Sequence, residues 1–239
     1  MDGADGVARF AIWYVVFLLS LTLHEAGHAL VAWLGGDDTA YRGGQVSLNP
    51  VPHMRREPFG TILFPLITYV SSGWMMGWAS SPYDPCWGQA HPRRMAAMSA
   101  AGPAGNLLIA SIAFIALKAF LAMGLFVAPA RINFSQLVQP PAGTPAGSLA
   151  YPAALFLSVA LNLNLLLFLF NLLPLPPMDG AGIIEGLIPG PIGGFFAGLR
   201  RQPMMAFLGL MLAWRVFDVI YQPAFAILLK LLHPDASYG

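Results

Sequence analysis

The chain has 239 residues, of which 57% are hydrophobic and only 10% charged, and its mean hydropathy is +0.65. Soluble domains carry about a quarter charged residues, so this composition describes an integral, multi-pass membrane protein with the lipid bilayer as its solvent. A net charge of +1 with no long basic or acidic run argues against nucleic acid as a partner, and the single cysteine, Cys86, excludes an internal disulfide and a cysteine-rich metal site.

The first apolar stretch, about 10–34, is long enough to span a hydrocarbon layer of about 30 Å. Its start resembles a signal-peptide core, but Asp2 and Asp5 against one Arg9 make a poor basic flank. No small-residue cleavage site follows, so the stretch reads as a retained transmembrane helix, ended by "GGDD" (35–38). Residues 39–58 are polar and rich in Gly and Pro, and the weak alternation of "GQVSLNP" predicts a short edge strand or β-hairpin between the first two spans. A second apolar stretch (59–79) is interrupted by Pro65, and a third (95–128) carries "AAGPAGN" near its start. After a Pro/Gly/Ala-rich connector comes the most hydrophobic stretch, 151–173, which runs into "PLPPMDGAG". Three prolines in four residues must break the helix there. Segments 203–221 and 223–232 add one or two more.

The expected architecture is all-α and polytopic, with about five or six transmembrane segments and a single domain over residues 1–239. If every stretch crosses once, Arg9, Arg93, Arg94, Arg200 and Arg201 face one side and Arg42, Arg55, Arg56 and Arg131 the other. That division is too even to orient the chain.

The chemistry starts at "LTLHEAGHALVAW" (21–33). His24 and His28 are four apart on a helix, so both imidazoles project from one face and can reach one tetrahedral zinc ion. Glu25 beside the first of them is placed to take a proton from water that such an ion activates. Three ionisable groups inside an apolar helix are costly unless they are used. A third ligand must come from elsewhere, and the candidates are His53, His91, Asp179, Glu185 and His233. Asp179 stands out because it lies in a broken segment, and broken backbone at membrane depth is tolerated where it lines an enclosed or watery cavity.

"HEAGH" in the first membrane helix, with "NLLPLPPMDG" (171–180) about 150 residues later, resembles the site-2 protease family of intramembrane zinc metalloproteases. "AAGPAGN" (100–106) is similar to a third family block, and "GGDDTAYRGGQVSLNPVPH" followed by "FGTILFPL" to the segment between the first two helices of bacterial members. The resemblance implies that His24, His28 and Asp179 bind Zn2+ and that Glu25 is the catalytic base. It implies that Asn171 holds the substrate backbone or stabilises the oxyanion, and that Asn106 lies near the same centre. It also implies a bacterial inner-membrane location and transmembrane protein substrates. Two loops depart from the family: "HMRREP" (53–58) stands where members carry His-x-Asp-Pro, and "SSPYDP" (80–85) replaces a lysine-proline pair. Neither touches the ligands or the base. No segment is long enough for the PDZ or nucleotide-sensing domains of some members, so the likeness is to a minimal core.

The expected function is therefore an intramembrane zinc endopeptidase. A non-catalytic family member that binds membrane partners, and a metal transporter using the same residues, are the alternatives from other classes.

Overall fold

The computed structural model describes residues 3–188 and 190–236; Asp2 of the N-terminal flank lies outside them. Four helices are long and apolar enough to cross a membrane: α1 (Gly3–Leu34), α6 (Pro92–Ala122), α7 (Ala150–Asn171) and α10 (Pro203–Leu232). Pro92 and Pro203 stand in the first turns of α6 and α10, where a missing N–H costs nothing. Helices α1, α6 and α7 form the core, which includes Trp13, Phe17 and Leu21 of α1, Ala113 and Leu117 of α6, and Val159 and Leu163 of α7. Small residues let α1 and α6 approach closely: a Cβ on Gly27 would lie 2.9 Å from the carbonyl oxygen of Ala101. Helix α10 is peripheral and packs through Ala213, Phe217 and Tyr221 against partners that include Phe170 of α7.

Among the described residues four candidate spans stand where the sequence predicts five or six. The second apolar stretch forms a five-residue π-helical turn (Phe59–Leu63) leading into α4 (Phe64–Ser72), about 21 Å in all and short of a crossing. The chain turns at Gly73 (φ +76°) and comes back without helical structure. The returning arm donates Trp78 N–H to Gly60 O (3.2 Å), and Ser80 Oγ–H donates to Glu57 Oε1 (2.6 Å), so both feet of the excursion sit together. At the C-terminal end, 223–232 is no separate segment, because Pro223 lies inside a continuous α10.

The predicted edge strand or hairpin is absent. Residues 43–49 are turns and bends between α2 (Thr39–Arg42) and α3 (Pro50–Arg56). Local bonds outcompete the weak alternation: Ser47 Oγ accepts from Asn49 N–H (3.0 Å), and Asn49 Oδ1 accepts from Val51 N–H (3.0 Å), capping a helix that begins with proline. Among the described residues the only β-bridges are the isolated pairs Val127–Gln139 and Asn133–Gln136.

The break at the Asp-Gly block is as expected. Helix α7 stops at Asn171, residues 172–178 run irregularly through a cis Pro176–Pro177 bond, and α8 (Asp179–Leu187) starts anew. Helix α8 lies flush on α6: a Cβ on Gly182 would strike Ser99 Oγ, and one on Gly186 would strike Pro92 O. A short α9 (Pro191–Arg200) follows, and Arg200 donates to Glu185 Oε2 (2.8 Å) and to Tyr83 Oη (3.2 Å).

These contacts define two ends of the bundle. Where α1 finishes, Gly35 O accepts from Trp87 Nε1 of the short α5 (Pro85–Ala90) and from Arg94 Nη1, both at 3.0 Å, satisfying a carbonyl that the helix end leaves open. Asp37 joins the same end to the returning arm by accepting from Thr39 and from Asp84 N–H (2.8 Å). With the second stretch doubling back, Arg42, Arg55, Arg56, Arg93, Arg94, Arg200 and Arg201 gather at this end. Arg9, Arg131, Lys118 and Lys230 lie toward the other, where Lys118 Nζ donates to Leu231 O (3.1 Å). The even division of cations depended on a crossing that does not occur.

Burial alone would raise the Asp37 pKa, but the hydrogen bonds from Thr39 and Asp84 more than offset it and hold the carboxyl below its ordinary value. The stabilisation is then present above the unfolded-state pKa and is lost as pH falls through the folded one. Asp37→Ala is expected to lower unfolding stability at neutral pH by about 1–3 kcal/mol, and the gap from the native chain should close on acidification, read by thermal unfolding in detergent.

Candidate metal centre

Helix α1 presents His24 and His28 on the face it packs against α6, and both side chains are buried. Each ring is aimed by the hydrogen bond of its outer nitrogen. His28 Nδ1–H donates to Met98 O (2.7 Å), and His24 Nδ1–H donates to Asn106 Oδ1 (2.6 Å), both acceptors on α6. Both Nε2 atoms therefore point inward with their lone pairs.

The broken segment supplies the third group. Asp179 opens α8, and the residue after it must be glycine, because a Cβ at Gly180 would strike the carbonyls of Leu172 and Leu173. His24 Nε2 lies 3.2 Å from Asp179 Oδ2, His28 Nε2 lies 3.3 Å from Asp179 Oδ1, and the two Nε2 atoms are 3.0 Å apart. Ligands on a tetrahedral zinc with bonds of about 2.0–2.1 Å stand about 3.3–3.4 Å apart, so these spacings suit groups that share one ion, the carboxylate presenting one oxygen to each imidazole. His24, His28 and Asp179 form the one group of three or more metal-ligating side chains among the described residues.

Two further observations fit a cation. Asp179 Oδ2 is buried without a hydrogen bond, an orphan that an ion would satisfy. Gly102 of α6 roofs the triangle: a Cβ there would lie 2.6 Å from His24 Nε2 and closer still to His28 Nε2. Pro103 follows it and has no N–H for the Ser99 carbonyl, so the helical ladder is interrupted beside the site.

The other ligand candidates are engaged elsewhere. His53 Nε2 pairs with Ser47 O (3.1 Å), His91 Nδ1 with Trp87 O (3.1 Å) and His233 Nε2 with Leu137 O (2.8 Å), while Glu185 pairs with Arg200. Glu25 is buried, yet with His24 it lines a cavity of about 610 Å3. Asn171 lines the same cavity and donates through Nδ2 to Leu167 O (3.0 Å). The far walls are the returning arm at 75–79, Pro177 and Met178 of the break, and Leu210, Met211 and Trp214 of α10. Asn106 is fully buried behind His24, away from the cavity lining.

Sequence reasoning passed over Ser20, Asn164 and Gly102. Asn164 lies seven residues before Asn171, on the same helix face and in the most hydrophobic stretch, and a buried amide in such a helix was the available signal.

A polytopic helical protein with a His-His-Asp cluster between its core helices and a glutamate at the adjoining cavity has the layout of a membrane metallopeptidase. The chain belongs to peptidase family M50, whose profile matches residues 12–214, in accord with the resemblance carried by the three motifs. It is 38% identical over 176 residues to "Putative zinc metalloprotease YwhC" of Bacillus subtilis, covering 73% of this chain and 68% of that protein. It is 28% identical over 182 residues to "Putative zinc metalloprotease Rip2" of Mycolicibacterium smegmatis, covering 75% of this chain and 58% of that one. For "Putative zinc metalloprotease Rip2" of Mycobacterium tuberculosis the identity is 28% over 169 residues, with 71% and 54% covered. The chain thus spans somewhat over half the length of the two Rip2 proteins. No solved structure matches it.

Gly102→Ala is expected to abolish stoichiometric metal in the purified protein, measured by elemental analysis. Alanine gains up to about 1 kcal/mol over glycine in a helix, so the loss cannot be put down to a weaker α6. Gly198→Ala, where a Cβ meets nothing within 4 Å, should leave metal content unchanged.

Proposed function

We propose that the chain is an intramembrane zinc endopeptidase that hydrolyses peptide bonds in or beside transmembrane segments of membrane proteins. The observation that carries this reading is the cluster of His24, His28 and Asp179 next to Glu25, at the wall of a mostly apolar cavity of about 610 Å3. In this reading His24, His28 and Asp179 hold Zn2+, and residues 1–239 work as one domain. A bound zinc polarises water and the scissile carbonyl.

The chain's own groups do the rest. The Glu25 carboxylate stands beside His24 at the cavity wall, placed to take the proton from water and pass it to the leaving amine nitrogen. One hydrogen of Asn171 Nδ2 is committed to Leu167 O, and the other remains to steady the substrate carbonyl as its charge develops. A substrate helix hides its carbonyls in its own bonds and must unwind before attack. The returning arm at 75–79 offers replacement partners: Met76 and Trp78 turn their N–H groups to Thr68 Oγ1 and Gly60 O, so in an extended chain the intervening main-chain groups face away from them.

Orientation follows from charge: by the positive-inside rule the arginine-rich end is the cytoplasmic one. The bacterial relatives support an inner-membrane location. His24 lies ten residues before the end of α1, about 15 Å along the helix from that end.

Glu25→Gln is expected to retain zinc while proteolysis falls by about 10²–10⁴-fold, and Asp179→Ala to lose zinc. The inactive Glu25→Gln protein serves as a trap: membrane proteins that co-purify with it, identified by mass spectrometry, should be cut by the native enzyme. An active Glu25→Gln enzyme contradicts the assigned base. Orientation has its own test in Cys86, the lone cysteine, which is exposed at the arginine-rich end. A membrane-impermeant maleimide should label it in inverted vesicles and not in intact spheroplasts; the reverse pattern contradicts the assigned orientation.

A further inference from the structure

Behind His24 the core holds a chain of polar side chains that binding and hydrolysis leave unexplained. Ser20, Asn106 and Asn164 are each 0% exposed and come from α1, α6 and α7, so the chain ties together the three core helices. We propose that Ser20 and Asn164 are positioning residues of the metal centre, which through Asn106 dictate that His24 carries its hydrogen on Nδ1 and offers the bare Nε2 to the metal. The consequence for zinc rests on the functional reading above; the hydrogen-bond logic does not.

That logic starts from main-chain carbonyls, which can only accept. The Asn164 side-chain atom lying 2.8 Å from Ala160 O must be the amide nitrogen, and the same atom lies 2.8 Å from Ser20 Oγ. Ser20 directs its own hydrogen to Val16 O (2.7 Å) and so meets that nitrogen with a lone pair. Both amide hydrogens of Asn164 are thereby used, and its Oδ1 must face Asn106. Asn106 answers with Nδ2, 2.8 Å from Asn164 Oδ1 and 3.3 Å from Ser20 O, a second main-chain carbonyl. What remains to face His24 Nδ1 is Asn106 Oδ1, an acceptor, and the ring must donate to it.

The polarity cannot be reversed locally. Turning the Asn106 amide over would set its oxygen against Ser20 O and Asn164 Oδ1, and would present an N–H to His24 Nδ1. The ring hydrogen would then sit on Nε2, pointed at His28 and Asp179, where a cation belongs. No group in the relay is exposed, so water cannot substitute for a missing member. His28 needs no relay, because Met98 O is itself a main-chain acceptor. Outer partners of this kind typically change metal affinity by about 10–100-fold when removed.

Asn162 supplies the control. It lies two residues from Asn164 on another face of α7, is equally buried, and bonds to Tyr221 and to Phe134 O (3.1 Å), apart from the relay. The test uses the full chain in detergent with 15N-labelled histidine, His24 being assigned by subtraction with His24→Gln. In the metal-free protein His24 should show a protonated Nδ1 and an unprotonated Nε2. Asn164→Leu should populate the opposite tautomer and weaken Zn2+ binding, read by chelator competition, by about 10–100-fold, while Asn162→Leu changes neither. If Asn164→Leu does not fold, Ser20→Ala removes the acceptor alone and should weaken Zn2+ binding several-fold with the same mixing of nitrogen signals. A native His24 protonated on Nε2, or an Asn164→Leu protein with unchanged tautomer and affinity, overturns the proposal. A native chain that binds no zinc would sink the functional reading, and the nitrogen signals would still decide this one.

Discussion

Three electron-pair donors pointing at one spot in a water-poor interior repel one another unless a cation sits between them, and much of this fold is arranged around that constraint. The Nε2 atoms of His24 and His28 and the Asp179 carboxylate lie within 3.3 Å of their neighbours. Holding them there requires helix backbones in near contact. Gly27 admits α6 against α1, Gly102 leaves room over the imidazoles, and Gly182 and Gly186 let α8 settle on α6 with Asp179 at its start. The polar groups behind the ligands, Met98 O and Asn106, complete the arrangement by aiming the rings.

The same constraint explains why the most hydrophobic helix is broken. A carboxylate in mid-helix would carry the side chain wherever the helix face happened to point. Stopping α7 at Asn171 and restarting at Asp179 frees the group to be aimed by a separate short helix. The break also contributes Pro177 and Met178 to the cavity, opposite the returning arm of the second apolar stretch. One interruption thus delivers a ligand and a wall, and the arm that fails to cross delivers another wall.

The candidate metal cluster was legible in the sequence because its signals are local: His24 and His28 one helical turn apart, and Asp179 after a proline run that no helix survives. Their convergence was not local, and only the motif pairing suggested it. Asn164 showed only as a polar residue in an apolar helix; its side-chain partners Asn106 and Ser20 were illegible, since they lie 58 and 144 residues away and nothing near it in the chain marks them. The second apolar stretch misled because hydropathy measures cost of transfer and not path. Residues 59–79 are apolar enough to enter lipid, but only the contacts of Gly60, Glu57, Trp78 and Ser80 reveal that the chain turns back. The edge strand at 43–49 failed because its polar residues find caps and turns within a few positions. Correcting the path reverses the conclusion on charge, from an even split of arginines to a strongly one-sided distribution.

The central claim is that a single zinc ion is held by two imidazoles and one carboxylate between membrane helices. Zinc X-ray absorption spectroscopy on the protein purified without chelators tests it most directly. The account predicts one zinc per chain, a first shell of nitrogen and oxygen at about 2.0–2.1 Å, and the multiple-scattering signature of two histidines. A shell containing sulfur at about 2.3 Å, or a zinc spectrum unchanged in a His24→Ala, His28→Ala protein, would contradict it.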